Sequence, residues 1–566
     1  MKPTRFLPIL AFVVAACGDQ HMSTAPGALQ AAIASGNSVA AQQSALAFVP
    51  FNYDIQIALP DSGAAIHGDV RIDLLRRARS DTLTLDLLKL RVARVELDHR
   101  QARFTRTDST IVIDVPSTAP DTVHVRVIYD GAPTDGLIAS RDSAGRWTYF
   151  GDNWPNRARY WIAGIDRPDA KASVSWTVTA PVSKTVVANG VQIENQVFGM
   201  GAQQRVRSRW RESKPIPLYL MVIAAAPLVK FDLGETACGH AEIAKCVAQS
   251  VYVAPEQRNV LPGSFAKAGD IVEFYARLIA PFPYEKLAHL QSRTRFGGME
   301  NASAIFYADA PFHRRGLQEG IIAHETAHQW FGDAVTEKSW PHLWLSEGFA
   351  TYFAALYTQH AHGDSAFLSE MARLRGQILG DTVSVPKRPV IDTTETDLLA
   401  LLNTNSYQKG AYVLHMLRSQ LGDSAFFRGL REYYAAHKDG NALSDDLRAA
   451  LEHSSGKDLR AFFDQWLRRP GYPEVEVTAE DDATGMVIVV KQHDRFGLFD
   501  FPLPILIRTN DGAQRTVTIP VKAVAVTRMS LGVRRAEVNW VSVDPRFTVL
   551  MRSLVTDVGA VPQPRR

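Results

Sequence analysis

Cysteine is almost missing from this 566-residue chain, with three in all. That excludes a small-domain fold held by many disulfides. No apolar run reaches 18 residues, so nothing in the sequence spans a bilayer as a mature helix. Neither sign of charge dominates: 62 Lys and Arg stand against 59 Asp and Glu, a formal charge of +3. With no basic run or stripe, nucleic acid is not an expected partner. Gly (37) and Pro (30) follow no period and no internal repeat is visible, which excludes collagen-like and solenoid architectures. What remains is ordinary globular composition, 46% hydrophobic. At about 150 residues per domain, the length allows roughly three or four domains.

The chain opens with an address. Lys2 and Arg5 precede an apolar run over residues 6–16, a pattern that reads as a secretory signal. It ends in Val14-Ala15-Ala16-Cys17-Gly18, which resembles the lipobox of bacterial lipoproteins. The resemblance implies removal of residues 1–16 and a lipid on Cys17. It also implies a chain anchored in a bacterial cell envelope, facing the periplasm or the exterior. A plain signal peptide that contains a cysteine is the alternative. Residues 17–46, rich in Ala, Ser, Gln and Gly, then form a flexible tether. Cys238 and Cys246 are left, eight residues apart; they form either a local disulfide or two buried thiols.

Periodicity predicts a multidomain α+β protein, ordered β, then α, then β. Across 47–232 the dominant period is two, as in Tyr53, Ile55, Ile57 and Leu59, and an antiparallel β domain is expected. The apolar run 216–229 reads as a buried strand. From 233 to 471 the period turns helical: Ile271, Phe274, Tyr275 and Leu278 share one face, and further helices are expected near 318–331, 345–357, 407–421, 424–436 and 459–467. Alternation returns over 472–553, with an Asp511-Gly512 hairpin signal, and predicts a β-sandwich. Residues 554–566, rich in Pro and Arg, read as a disordered tail.

One constellation carries chemistry. His324-Glu325-Thr326-Ala327-His328 is an HExxH run in a helical pattern. Spacing of four puts both imidazoles on one helix face, within reach of a single tetrahedral Zn2+. Glu325, on the turn between them, is suited to take a proton from a water that the metal acidifies. A catalytic zinc wants a third protein ligand, and Glu347 follows His328 after eighteen residues, on a second predicted helix. The flanks (Ile321, Ile322, Trp330, Phe331) are apolar, so these polar groups are not accidents of a solvated face.

HExxH-x18-E ending in Glu347-Gly348-Phe349-Ala350 resembles the gluzincin zinc aminopeptidases, the family of aminopeptidase N and leukotriene hydrolase. Gly297-Gly298-Met299-Glu300-Asn301 resembles a second signature of that family, and Tyr407-Gln408-Lys409-Gly410 its tyrosine-bearing helix start. The resemblance implies a thermolysin-like, mainly helical catalytic domain acting on peptides with a free N-terminus. It implies one zinc on His324, His328 and Glu347, with Glu325 as general base. It makes Glu300 the counter-charge for the substrate α-amine, within a peptide-binding segment formed by Gly297, Gly298, Met299, Glu300 and Asn301. Tyr407 becomes the catalytic phenol that steadies the developing oxyanion. Three departures stand out. Ser346 replaces the family's usual Asn before the third ligand. The family's second amine-binding residue has no clear equivalent, with Asp152 or Asn153 as candidates. The sequence also ends after the β-sandwich, where many relatives add a large helical domain, so a cleft open to longer peptides is expected. A thermolysin-type zinc endopeptidase, an epoxide hydrolase and a catalytically inactive peptide-binding lipoprotein are the rival readings.

Overall fold

Alternating side chains along residues 48–217 do pair into sheet. Tyr53, Ile55 and Ile57 share one face of the strand Phe48–Ala58 and are fully buried there. That strand sits inside an eight-stranded sheet, and further sheets of four and three strands complete the region. One pair departs from the antiparallel expectation: Phe48–Ala58 runs parallel to Lys171–Pro181. The residues between them, 59–170, are long enough to return the chain in the same direction, which a tight turn cannot do. The apolar run expected as a single strand is also broken. Strand Arg205–Pro217 ends, a 3-10 turn Leu218–Leu220 follows, and pairing resumes at Ile223–Ala226. Pro217 lacks the N–H that would carry the ladder onward.

The computed structural model describes residues 45–239, 246–259, 261–313 and 317–556. The expected signal peptide, Cys17, the tether up to residue 44 and the tail beyond 556 lie outside the described residues. Among the described residues no helix is long and apolar enough to cross a membrane. Cys238 and Cys246 form a disulfide, which decides between the two alternatives left open by the sequence.

The chain divides into two compact units. The first runs to Trp340 and takes in Thr396–Leu402 and His437–Ala442. Besides the β region it holds a five-stranded mixed sheet: β1 (Val229–Thr236), β2 (Val247–Val253), β3 (Lys286–Ser292), β4 (Gly298–Met299) and β5 (Ala304–Ala308). Their order is β1-β2-β3-β5-β4, so β1 and the short β4 are the two edge strands. Helix α1 (Ala268–Leu278) buries Ile271, Val272 and Tyr275, and the Tyr275 hydroxyl donates to the Ala323 carbonyl of α2 (Glu319–His328) at 3.1 Å. Lys171, buried, donates through Nζ to the carbonyls of Asp333, Ala334 and Gly440 at 2.8, 2.9 and 3.0 Å, tying three segments of this unit together.

The second unit carries the helices α3 (Trp344–His362), α4 (Asp364–Gly380), α5 (Gly410–Leu421), α6 (Asp423–His437, its last residue counted with the first unit), α7 (Ser444–Ser455) and α8 (Arg460–Leu467). Of these, α4 and α7 escape the sequence reading. The buried residues of α4, Phe367, Met371, Leu374 and Ile378, fall at i, i+4, i+7 and i+11, a helical stripe that the sequence carries and the expectations above omit. Two C-terminal sheets follow, of four and three strands, including the hairpin of Phe501–Thr509 with Gln514–Val521 across Asp511-Gly512. Gly512 has φ +89°, a left-handed turn position that favours glycine.

Burial lowers Lys171 from its ordinary range to about 7, although nearby Asp439, Asp333 and Glu337 pull it the other way. An amine that holds its proton less tightly when folded makes stability rise with pH between its folded and unfolded values. The Lys171→Met variant is therefore expected to show a flatter rise in melting temperature from about pH 7 to about pH 10 than the parent chain.

Candidate active site

In the first unit, α2 ends at His328, and the motif occupies its last turn and a half. His324 is half-buried and His328 is buried. Their Nε2 atoms stand 3.2 Å apart with the rings nearly perpendicular. Two nitrogens each about 2.0–2.1 Å from a tetrahedral zinc are separated by about 3.3 Å, so the pair fits that ion. The Nδ1–H of His328 donates to the Phe331 carbonyl at 3.2 Å, which directs the ring and makes Nε2 its lone-pair nitrogen.

The glycine-rich segment converges on this helix. Carboxylate oxygens of Glu300 and Glu325 and a ring nitrogen of His328 lie within 4.8 Å of one another, so two acidic groups and one imidazole share a single small volume. All three are at least nine-tenths buried. Gly298 has a specific reason to be glycine: a β carbon there would overlap the Glu325 carboxylate. β4 pairs antiparallel with β5 through Gly298↔Tyr307 and Met299↔Phe306, and as an edge strand it has a side suited to an added chain. Met299 places its side chain in the hydrophobic core. Asn301 is also fully buried.

Asp152 and Asn153, the sequence candidates for a second amine contact, are both committed elsewhere. Asp152 is paired with Arg157 at 2.8 Å and Arg295 at 3.2 Å, and accepts from the Thr294 hydroxyl at 2.8 Å. The Asn153 amide donates to the Met221 carbonyl and accepts from the Trp161 indole, each at 2.8 Å. These two residues brace the fold. Gln329 is the residue the sequence reading passed over. Its signal was available: a polar side chain directly after HExxH, ahead of Trp330 and Phe331, that turns out to be fully buried.

In the second unit, Glu347 lies buried in the first turn of α3. It accepts from the Tyr407 hydroxyl at 2.8 Å. Tyr407 sits in a π-helical turn, Asn405–Lys409, that leads into α5. Such turns insert one residue into a helix and redirect a side chain. Two glycines let the helices meet: a β carbon on Gly348 would stand 2.9 Å from the Gly410 backbone, and one on Gly410 would stand 3.1 Å from the Gly348 Cα. Lys409, buried, pins the end of the turn by donating to the Gly471 and Arg469 carbonyls at 3.0 and 3.4 Å. Ser346 is buried beside Glu347.

Comparison with known proteins gives a consistent picture. Residues 264–466 match the Peptidase family M1 domain, and residues 49–220 match the Peptidase M1 N-terminal domain. Aminopeptidase N of Lactococcus lactis subsp. lactis is 26% identical over 490 residues, covering 81% of this chain and 56% of that protein. Aminopeptidase N of Streptomyces lividans is 29% identical over 405 residues, covering 66% and 45%. The tricorn protease-interacting factor F2 of Thermoplasma acidophilum is 26% identical over 452 residues, covering 76% and 55%. The chain thus spans about half the length of the curated relatives it matches. In fold it resembles the crystal structure of Legionella pneumophila aminopeptidase A in complex with aspartic acid, with a TM-score of 0.77 at 17% identity over 90% of this chain and 60% of that one.

The glycine contact between α3 and α5 leaves no room for side chains. Urea denaturation is expected to show Gly348→Ala less stable than the parent by about 1 kcal/mol and Gly348→Val by about 3 kcal/mol, because overpacking must push the backbones apart.

Proposed function

The chain belongs to peptidase family M1, and from that membership and the local geometry we infer that it is a zinc-dependent aminopeptidase acting on peptides with a free N-terminus. The observation that carries this reading is the 4.8 Å cluster of Glu300, Glu325 and His328. A residue spans at most about 3.3–3.6 Å of extended chain. An ammonium held by Glu300 therefore leaves room for about one residue before the bond that Glu325 serves. An endopeptidase needs no fixed carboxylate so near its base.

His324, His328 and Glu347 are assigned as the zinc ligands. The 3.2 Å separation of the imidazole nitrogens, the motif spacing and the family support this set. When bound, zinc acidifies the attacking water and polarises the scissile carbonyl. Glu325 takes the proton from that water and returns it to the leaving amine. Glu300 holds the substrate ammonium, a charge-assisted contact strengthened by its burial. Gly297 and Gly298, the latter on the edge strand β4, receive the peptide backbone as an added strand. Tyr407 donates its hydroxyl to the oxyanion as it forms.

The same reading extends to the cell. Residues 1–16 serve as a lipoprotein signal and Cys17 carries the lipid, which holds the enzyme to a bacterial envelope facing the periplasm or exterior. The Cys238–Cys246 disulfide supports an oxidising compartment. The domain bounds 47–232, 233–471 and 472–553 belong to this proposal as well.

Three outcomes are expected. Glu325→Gln retains one zinc per chain by metal analysis while kcat falls about 10²- to 10⁴-fold. Glu347→Ala loses most of its zinc on dialysis; full retention would remove Glu347 from the ligand set. On aminoacyl-fluorophore substrates, N-acetylation abolishes turnover, and a preference for the blocked substrate would favour the endopeptidase instead.

A further inference from the structure

The buried amide of Gln329 closes three hydrogen bonds. Its Oε1 accepts from the Ser303 N–H at 2.8 Å. Its Nε2 donates to the Glu300 carbonyl at 2.8 Å and to Asp333 Oδ2 at 2.9 Å. The residue directly follows His328 and caps the end of α2. One side chain thus grips both ends of the turn Glu300–Ser303 and fastens it to the helix that carries both imidazoles. The turn itself is not a relaxed one, since Ser303 adopts φ +61°, a left-handed conformation uncommon for a residue with a side chain. From the far side, Ser303 Oγ accepts from the Gly190 N–H at 2.7 Å, and its carbonyl accepts from Lys286 Nζ at 2.7 Å. The Asn189 amide holds the Ala302 carbonyl at 2.7 Å. The β region and α2 therefore clamp this turn from two directions, and Gln329 is the clamp on the helix side.

We propose that Gln329 is a positioning residue for amine recognition: it sets the distance between the Glu300 carboxylate and the helix bearing His324, Glu325 and His328, and so fixes where the substrate ammonium sits relative to the scissile bond. The proposal rests on the aminopeptidase reading above. Its physical basis is the cost of leaving a fully buried amide and its partners unpaired. Without Nε2 and Oε1, the Glu300–Ser303 turn has no tie to α2 through this side chain and relaxes from its strained conformation. The carboxylate then shifts while the imidazole pair, held by its own helix, stays.

The test uses two hydroxamate ligands of identical side chain, one bearing a free α-amine and one with hydrogen in its place. The ratio of their inhibition constants reads amine recognition alone. In the parent chain the amine is expected to tighten binding by roughly 10- to 100-fold, the range of a buried charge-assisted contact. In Gln329→Met, close to Gln in size, the ratio falls by about tenfold, zinc content stays at one per chain, and the amine-free ligand binds as before. Gln329→Glu keeps the acceptor for Ser303 but loses both donors, and it is expected to show the same loss should the Met variant fail to fold. If both ligands weaken by equal factors in either variant, Gln329 has only a general structural role and the proposal is overturned. Glu300→Gln in the parent background separates the two levels. An unchanged ratio there removes Glu300 as the amine anchor, whereas a lost ratio there with an intact one in the Gln329 variants removes Gln329 alone.

Discussion

The polar groups around α2 are buried, and burial of such groups costs free energy that their hydrogen-bond and charge partners must offset. That constraint shapes the first unit around α2. Glu300, Glu325 and His328 share one small buried volume. Two carboxylates so close repel one another, and the fold tolerates them there because fixed groups surround them. Backbone carbonyls and amides do most of that fixing: Phe331 orients one imidazole, and Gln329 ties the anchor turn to the helix. Behind this layer Asp333 is fully buried, and its carboxyl is pushed well above the usual range, first by burial and then by Glu300. Lys171, when protonated, lies close enough to offset part of that cost.

The same logic operates in the second unit with smaller means. Gly348 and Gly410 remove the side chains that would hold two helices apart, and the backbone approach they permit lets the Tyr407 hydroxyl reach Glu347. The glycine of the Tyr407-Gln408-Lys409-Gly410 run is a packing requirement, and the lysine is a buried tie to the loop at residues 469–471. Neither reason is visible in the letters. Both explain why those letters occur together.

What the sequence discloses follows from range. HExxH is local, so helical geometry alone predicts the imidazole convergence, and the 3.2 Å separation bears that out. Alternation along 48–217 is equally local and yields sheet. Parallel pairing of the first strand with Lys171–Pro181 depends on partners far apart in sequence, and no periodicity encodes it. The fate of Asp152 and Asn153 was hidden for the same reason. Their partners Arg295, Thr294 and Met221 come from distant segments, and only those partners show that both side chains are occupied. Gln329 lay at the margin of legibility. An unexplained amide among aromatics signals a buried hydrogen-bond set, but what it binds can be known only from the fold.

The edge strand β4 contains just two residues. A ladder that short offers an incoming chain very few rungs, so grip on the ligand saturates almost at once and gains nothing from added length. Backbone pairing at this edge is therefore confined to the first residues of any strand laid against it.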